Sequence, residues 1–178
     1  MLNKEEIRQH ILGKKKNFPE ALRRSQSASV WQQVEEMEIF QQSDVILAYW
    51  SMPDEVFTHD FIQRWYCRKH VLLPVIENGT PTVKSYHPDT LRQHATLKFY
   101  EPQGEVYSRL SHIRLAIVPG IAFDRERHRM GRGKGFYDRL LPSLQAYRIG
   151  VGFDFQLLDA IPVESHDVPM DTIVVGNP

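Results

Sequence analysis

Apolar positions recur along this chain at two different spacings. Ile7 and Ile11 are four apart, and Val30, Val34, Met37 and Phe40 repeat every three or four residues. That period predicts helices with one buried face. Asn3 stands where it can cap the first helix, with Glu6 at the capping-box position, and Pro19 can open the second. Residues 44–50 (DVILAYW), 70–76 (HVLLPVI) and 113–120 (IRLAIVPG) are instead short continuous apolar runs, which predict buried strands. Pro74 marks an end, an edge or an irregularity of its strand. A helix is predicted over 55–69, with Phe61, Ile62, Trp65 and Tyr66 facing inward, so that 44–76 forms a βαβ unit. Short strands over 82–86 and 96–100 follow, with Leu91 on a helical turn between them. A helix from near Gly135 and strands over 147–154 and 171–176 complete the pattern.

Strands alternating with helices predict an α/β fold, a single three-layer α/β/α domain with a mostly parallel, mixed central sheet of Rossmann-like type. It is expected to span residues 1–178, with N-terminal helices over about 4–42 packing on the sheet. In such folds ligands gather at the carboxyl ends of strands. The loops after Trp50 and after Val118 are therefore the places to look for chemistry.

Composition narrows the classes. Apolar residues make up 42% and charged residues 25% of 178 residues, which suits a globular chain and argues against disorder. Lys and Arg equal Asp and Glu at 22 each, so bulk charge does not point to a duplex-coating or membrane-surface protein. No apolar run is long enough to span a bilayer, and the N-terminus lacks a signal-peptide pattern. The single cysteine, Cys67, leaves no internal disulfide, so a cytoplasmic location is expected. The eight histidines show no HxH or HxxxH spacing, so no zinc site is expected. No nucleic-acid or membrane partner is expected, and the chain is expected to act as a monomer.

The segment Phe123–Arg139 changes the picture. It carries six basic side chains against three acids in a chain that is neutral as a whole. Gly131, Gly133 and Gly135 alternate with Arg132 and Lys134. Glycines let backbone N–H groups approach a ligand closely, and with the cations and a helix starting at Gly135 they make an anion cradle. Polyphosphate is the natural occupant. The spacing matches neither a Walker A loop nor the dinucleotide fingerprint. Two other readings stay open: a plain basic surface loop, and a single-strand nucleic-acid contact with Phe136 and Tyr137 as stacking rings and Lys14-Lys15-Lys16 as support. Asp138 is either a charge favoured by the helix start or a magnesium ligand beside phosphates. Asp171 is either a turn residue or a second such ligand. Lys4 and Arg8 share a helix face, which by itself reads as a solvated side.

Pro119-Gly120-Ile121-Ala122-Phe123-Asp124 followed by Arg129-Met130-Gly131-Arg132-Gly133-Lys134-Gly135-Phe136-Tyr137-Asp138-Arg139 resembles the signature of the 5-formyltetrahydrofolate cyclo-ligases, also called methenyltetrahydrofolate synthetases. Further matches fall in order along nearly the whole chain. They are Lys4 with Ile7 and Arg8, Tyr49-Trp50-Ser51 with Glu55 and Thr58, Glu101-Pro102, Ile149-Gly150, Phe153-Asp154 with Gln156, Ile161-Pro162, His166-Asp167 and Asp171. Arg127 stands where the family usually has glycine, Met130 where it has leucine, and Phe136 in place of the first of two tyrosines.

The resemblance implies conversion of 5-formyltetrahydrofolate to 5,10-methenyltetrahydrofolate with ATP and Mg²⁺, releasing ADP and phosphate. The formyl oxygen would take the γ-phosphoryl group to give an iminium phosphate, and nitrogen 10 of the folate would then close the ring. It implies that Lys4, Arg8 and Arg129 to Tyr137 bind ATP, including Met130, Gly131, Gly133 and Gly135. It further implies that Trp50, Glu55 and Arg132 to Phe136 meet the folate, and that Asp138 and Asp171 hold magnesium. Arg132 and Lys134 would neutralise the transferring phosphoryl group. Replacing Lys134 or Asp138 by alanine should then cut turnover and leave the fold intact. The readings that compete with this one are another small-molecule kinase or ATPase on an α/β fold, and the nucleic-acid module.

Overall fold

The structure is a computed structural model and describes residues 2–93 and 100–177. Helix α1 runs Lys4–Asn17 and opens as the sequence predicts. The Asn3 side chain accepts from the N–H groups of Glu5 and Glu6, and the Glu6 carboxylate accepts from the Asn3 N–H at 2.7 Å. Removing such a cap costs about 1 kcal/mol. Helix α2 spans Glu20–Glu36 after Pro19. Met37 turns extended and ends it, so Phe40 belongs to a separate short helix, α3, Glu38–Gln42. The Lys69 ammonium closes α3 by donating to the carbonyls of Phe40 and Ser43 at 2.8 and 2.7 Å.

Strand β1, Val45–Leu47, is shorter than the apolar run that encodes it. Helix α4, His59–Trp65, starts four residues after the expected position. The delay has a cause. Ser51 and Thr58 exchange backbone-to-hydroxyl bonds of 2.9 and 3.1 Å, which hold the intervening residues in a loop. Glu55 thereby sits in a turn and not in a helix. Strands β2, His70–Glu77, and β3, Thr80–Ser85, form a hairpin. Pro74 lies beyond the residues of β2 that pair with β1, where no second partner asks for its missing N–H. Leu91 opens strand β4, Leu91–Gln93, after a single 3-10 turn, and is not on a helical turn as predicted. The strand predicted over 96–100 falls almost wholly outside the described residues; Tyr100 opens β5, Tyr100–Pro102. The remaining elements are β6, Leu115–Pro119; β7, Ala122–Asp124; β8, Arg129–Met130; α5, Phe136–Leu140; β9, Tyr147–Gly152; β10, Leu157–Leu158; and β11, Thr172–Val175.

The main sheet has the order β11-β9-β6-β1-β2-β3, parallel throughout except for β3. Counting only these strands along the chain, the order reads 3-2-1-4-5-6, that of a doubly wound sheet. The two-residue period assigns the core. Ile46, Val71, Leu73, Leu115 and Ile117 point to the face covered by α2, α3 and α4. Leu47, Leu72, Ala116 and Val118 point to the opposite face, under α5. Ile46 and Leu47 are both fully buried, so cutting either to alanine costs about 2–5 kcal/mol. A second, three-stranded sheet, β10-β7-β8, carries α1 on Ile121, Ala122 and Met130 through Ile7 and Ile11. The first helix thus packs on this small sheet, while α2 and α3 pack on the main one as expected. Among the described residues, no helix is long and apolar enough to cross a membrane.

Candidate active site

The chain reverses direction across the sheet between β1 and β6, and a large cleft opens beyond their carboxyl ends. It encloses about 520 Å³, within the range that suits a small organic ligand. The loop after β1 supplies Trp50 and Glu55, and the outer half of β2 supplies an apolar wall from Leu73 to Ile76. The loop after β6 leads through the β7–β8 hairpin to the glycine-rich segment, which forms the facing wall. Both loops singled out in the sequence therefore meet in one place. Because α1 sits on the small sheet, its Lys4 and Arg8 reach the same cleft.

The glycine loop is held from several sides. Arg8 Nε donates to the Gly131 carbonyl at 3.2 Å. Gly133 and Gly135 adopt φ of 93° and 59°, left-handed conformations that side chains resist. Arg129 is buried; one of its terminal nitrogens lies 3.0 and 3.1 Å from the two oxygens of Asp138, and its Nε is buried without a partner among the described residues. Helix α5 is only five residues long and stops at a 3-10 turn containing Pro142. The helix-start contribution expected at Gly135 is correspondingly slight, and the cations carry the site's positive character. Lys134 projects into the cleft, exposed, with no ion pair among the described residues.

Arg132 bridges the two walls. One of its terminal nitrogens lies 2.8 and 2.9 Å from the oxygens of Asp54 and 3.3 Å from Glu55 Oε1. Burial opposes its charge, but Glu55 and Asp54 more than offset this and raise its pKa. Glu55 is buried, and burial raises its pKa above the ordinary carboxylate value against the pull of the Met52 N–H, Arg132 and Lys15. The Tyr137 phenol is pushed well up by burial and by the charge of Glu55, so it stays protonated. Trp50 is stacked on His59, ring centres 3.9 Å apart, and lies nearly parallel to Tyr86, which fixes its indole against the cleft. At the rim, the Lys4 ammonium is 2.7 Å from Glu164 and 2.6 Å from Asp167, and these bonds raise its pKa despite burial.

The comparisons with known proteins agree with one another. Residues 1–176 match the model of the 5-formyltetrahydrofolate cyclo-ligase family. The chain belongs to that family. It is 34% identical over 138 residues to the 5-formyltetrahydrofolate cyclo-ligase of Escherichia coli K12, covering 72% of this chain and 76% of that protein. To the Mycolicibacterium smegmatis cyclo-ligase it is 30% identical over 184 residues, 97% of this chain and 93% of the other. The solution structure of the Aquifex aeolicus 5,10-methenyltetrahydrofolate synthetase superimposes with a TM-score of 0.87 at 30% identity, covering 97% of this chain and 89% of that one.

As a cyclo-ligase family member the chain makes its turn after Asp124 on a residue other than glycine. Arg127, at the usual glycine, adopts φ 70° and closes the turn through its N–H to the Asp124 carbonyl. Met130 fills the small core, and Phe136 packs partly buried beside Tyr137. Of the site residues expected from the sequence, Lys4, Arg8, Trp50, Glu55 and Arg129 to Asp138 all line the cleft. Asp171 does not. Its carboxylate accepts from the Arg148 backbone N–H at 2.8 Å and from the guanidinium at 2.9 and 3.1 Å, off the cleft wall. Asp138 is also the counter-ion of the buried Arg129, so Asp138→Ala removes a contact of the fold as well as of the cleft.

Gln156 is a buried brace: it accepts from the Phe153 N–H and donates to the carbonyls of Gly120 and Ile121, fixing the loop after β6. Sequence reasoning missed Asp54, Glu164 and Lys15. Lys15 stands in a basic run with its neighbours, yet it is buried, and the signal for this is its place four residues after Ile11 on the apolar stripe. The run Lys14-Lys15-Lys16 therefore makes no continuous basic patch.

Proposed function

We propose that this protein converts 5-formyltetrahydrofolate to 5,10-methenyltetrahydrofolate, with ATP as the phosphoryl donor and ADP and phosphate as products. The observation that carries the reading is the meeting of a glycine loop bearing Arg132 and Lys134 with a wall of Trp50 and Glu55 at the sheet's switch point. A formyl oxygen is a poor leaving group. Transfer of the γ-phosphoryl group to that oxygen lets it depart as phosphate once nitrogen 10 of the folate attacks the formyl carbon.

Positioning and charge neutralisation do most of the work in phosphoryl transfer. The backbone from Gly131 to Gly135 holds the phosphates, with Lys4, Arg8 and Arg129 on the nucleotide. The orphaned Nε of the buried Arg129 fits such an anion. Lys134, exposed in the cleft, and Arg132 meet the transferring group, and losing such a contact costs about 2.7–4 kcal/mol of barrier. Trp50 offers a face to the pterin, and Glu55 a carboxylate. Magnesium, when bound, would screen the phosphate charge, and Asp138, one of the carboxylates lining the cleft with Glu55, Glu164 and Asp167, would hold it with an oxygen released from Arg129. Asp171, paired with Arg148 off the cleft wall, is not given to the ion in this reading.

The test is direct. The purified protein with 5-formyltetrahydrofolate and MgATP should build up the near-ultraviolet absorbance of the methenyl product. Folded protein giving no signal contradicts the reading, and ATP hydrolysis without folate would favour a different ATPase.

A further inference from the structure

One charged side chain of α1 points inward and has no part in the reaction as described. Lys15 lies on the same stripe as Ile7 and Ile11 and is 3% exposed. Among the described residues its ammonium donates no hydrogen bond, and its ion-pair partner, Asp54 Oδ2, is 3.8 Å away. Lysines are almost never this buried without close pairing, because the desolvated charge is strongly unfavourable. A complement to the end of α1 does not explain it, since Lys14 and Lys16 supply that from the surface.

The surroundings do explain it. Both oxygens of Asp54 are already engaged by Arg132, which also touches Glu55. Lys15 and Arg132 thus face Asp54 and Glu55 as two cations against two carboxylates. In the reaction read above, on which this inference rests, Arg132 is needed at the phosphoryl group. If it left with no replacement, two carboxylates would stand uncompensated beside an incoming polyphosphate. We propose that Lys15 is a positioning residue that takes over Asp54 when Arg132 turns to the phosphoryl group. The shortfall of its present contact is the sign of that role: it stands behind Asp54, near enough to close on it and too far to hold it now.

The test is a set of variants read by steady-state kinetics on the full chain. Lys15→Met, which keeps the length and drops the charge, should lower kcat about tenfold with KM for ATP nearly unchanged, the pattern of an interaction made only in the transition state. Lys15→Arg should recover at least about a third of the wild-type rate. Lys15→Met combined with Asp54→Asn should return to within about threefold of wild type, because the acid that Lys15 takes over is then gone. Lys15→Gln replaces Lys15→Met if the latter does not fold. A kcat unchanged in Lys15→Met, or a double variant as slow as the single one, overturns the proposal; the second result would mean that Lys15 acts by packing. Inactive wild-type protein would overturn the reading of Arg132 and this inference with it. Active wild type with an unaffected Lys15→Met overturns this inference alone.

Discussion

Arg132 rests on Asp54, 2.8 and 2.9 Å from its two oxygens, and so ties the glycine-rich loop to the segment after β1 across the mouth of the cleft. Lys134, two residues on, holds to nothing comparable among the described residues. The two cations should therefore respond differently to removal. Lys134→Ala should lower kcat about 10²–10³-fold with an unchanged melting temperature, since only a transition-state contact is lost. Arg132→Ala should also slow turnover and, in addition, loosen the loop, seen as faster proteolysis within 131–135. Near-wild-type rates in both would show that the loop is not the phosphate seat.

Asp138 has a folding role as well as any role toward the ion. It neutralises Arg129, whose side chain is only 3% exposed. Breaking a buried pair from one side costs about 3–5 kcal/mol. Asp138→Ala should therefore lower the denaturation midpoint strongly, and a variant as stable as wild type would contradict this placement.

Asp171 makes the opposite case. Asp171→Asn removes the acceptor charge for Arg148 and should cost about 1.5–3 kcal/mol of stability. The magnesium concentration giving half-maximal rate should move less than about twofold. A several-fold rise would show that Asp171 leaves Arg148 to hold the ion.

Acid stability follows from three aspartates. For Asp124, burial works against the charge, but the bonds from His128 and Ile161 more than offset it and lower the pKa. Asp167 with Lys4 and Asp171 with Arg148 are lowered in the same sense. A folded-state value below the unfolded one means stability that is present above the unfolded pKa and lost as pH falls through the folded one. The melting temperature should hold from pH 7 to about 5 and fall below about 4. Asp124→Asn should shrink that fall, and a loss beginning above pH 6 would point to other groups.

Gly150 tests the packing behind the cleft. A Cβ there would lie 2.6 Å from the ring of Phe123 and 2.8 Å from Ile173 Cδ1. Gly150→Ala should cost about 1–3 kcal/mol. An unchanged midpoint would mean that Phe123 has room to move.

Much of this was legible in the chain. The apolar runs located the main strands, and their two-residue period separates the two faces of the core. The motif from Gly131 to Asp138 marked the cleft wall, because glycine spacing and charge are local properties. What could not be read depended on partners distant in sequence. Ser51 and Thr58 hold a loop where periodicity predicted helix, and Arg148 claims Asp171 from another strand. Lys15 stands in a run of three lysines, and only the packing of the stripe it shares with Ile11 separates it from its exposed neighbours.

The central claim is that the stretch from Gly131 to Gly135 seats a nucleotide's triphosphate beside the folate wall. A crystal structure with Mg²⁺ and a non-hydrolysable ATP analogue measures this most directly. The account predicts phosphate oxygens within hydrogen-bond reach of those backbone N–H groups and of Lys134, with the γ-phosphate facing Trp50. Density for the triphosphate elsewhere, with the glycine loop still closed on Asp54 alone, would contradict it.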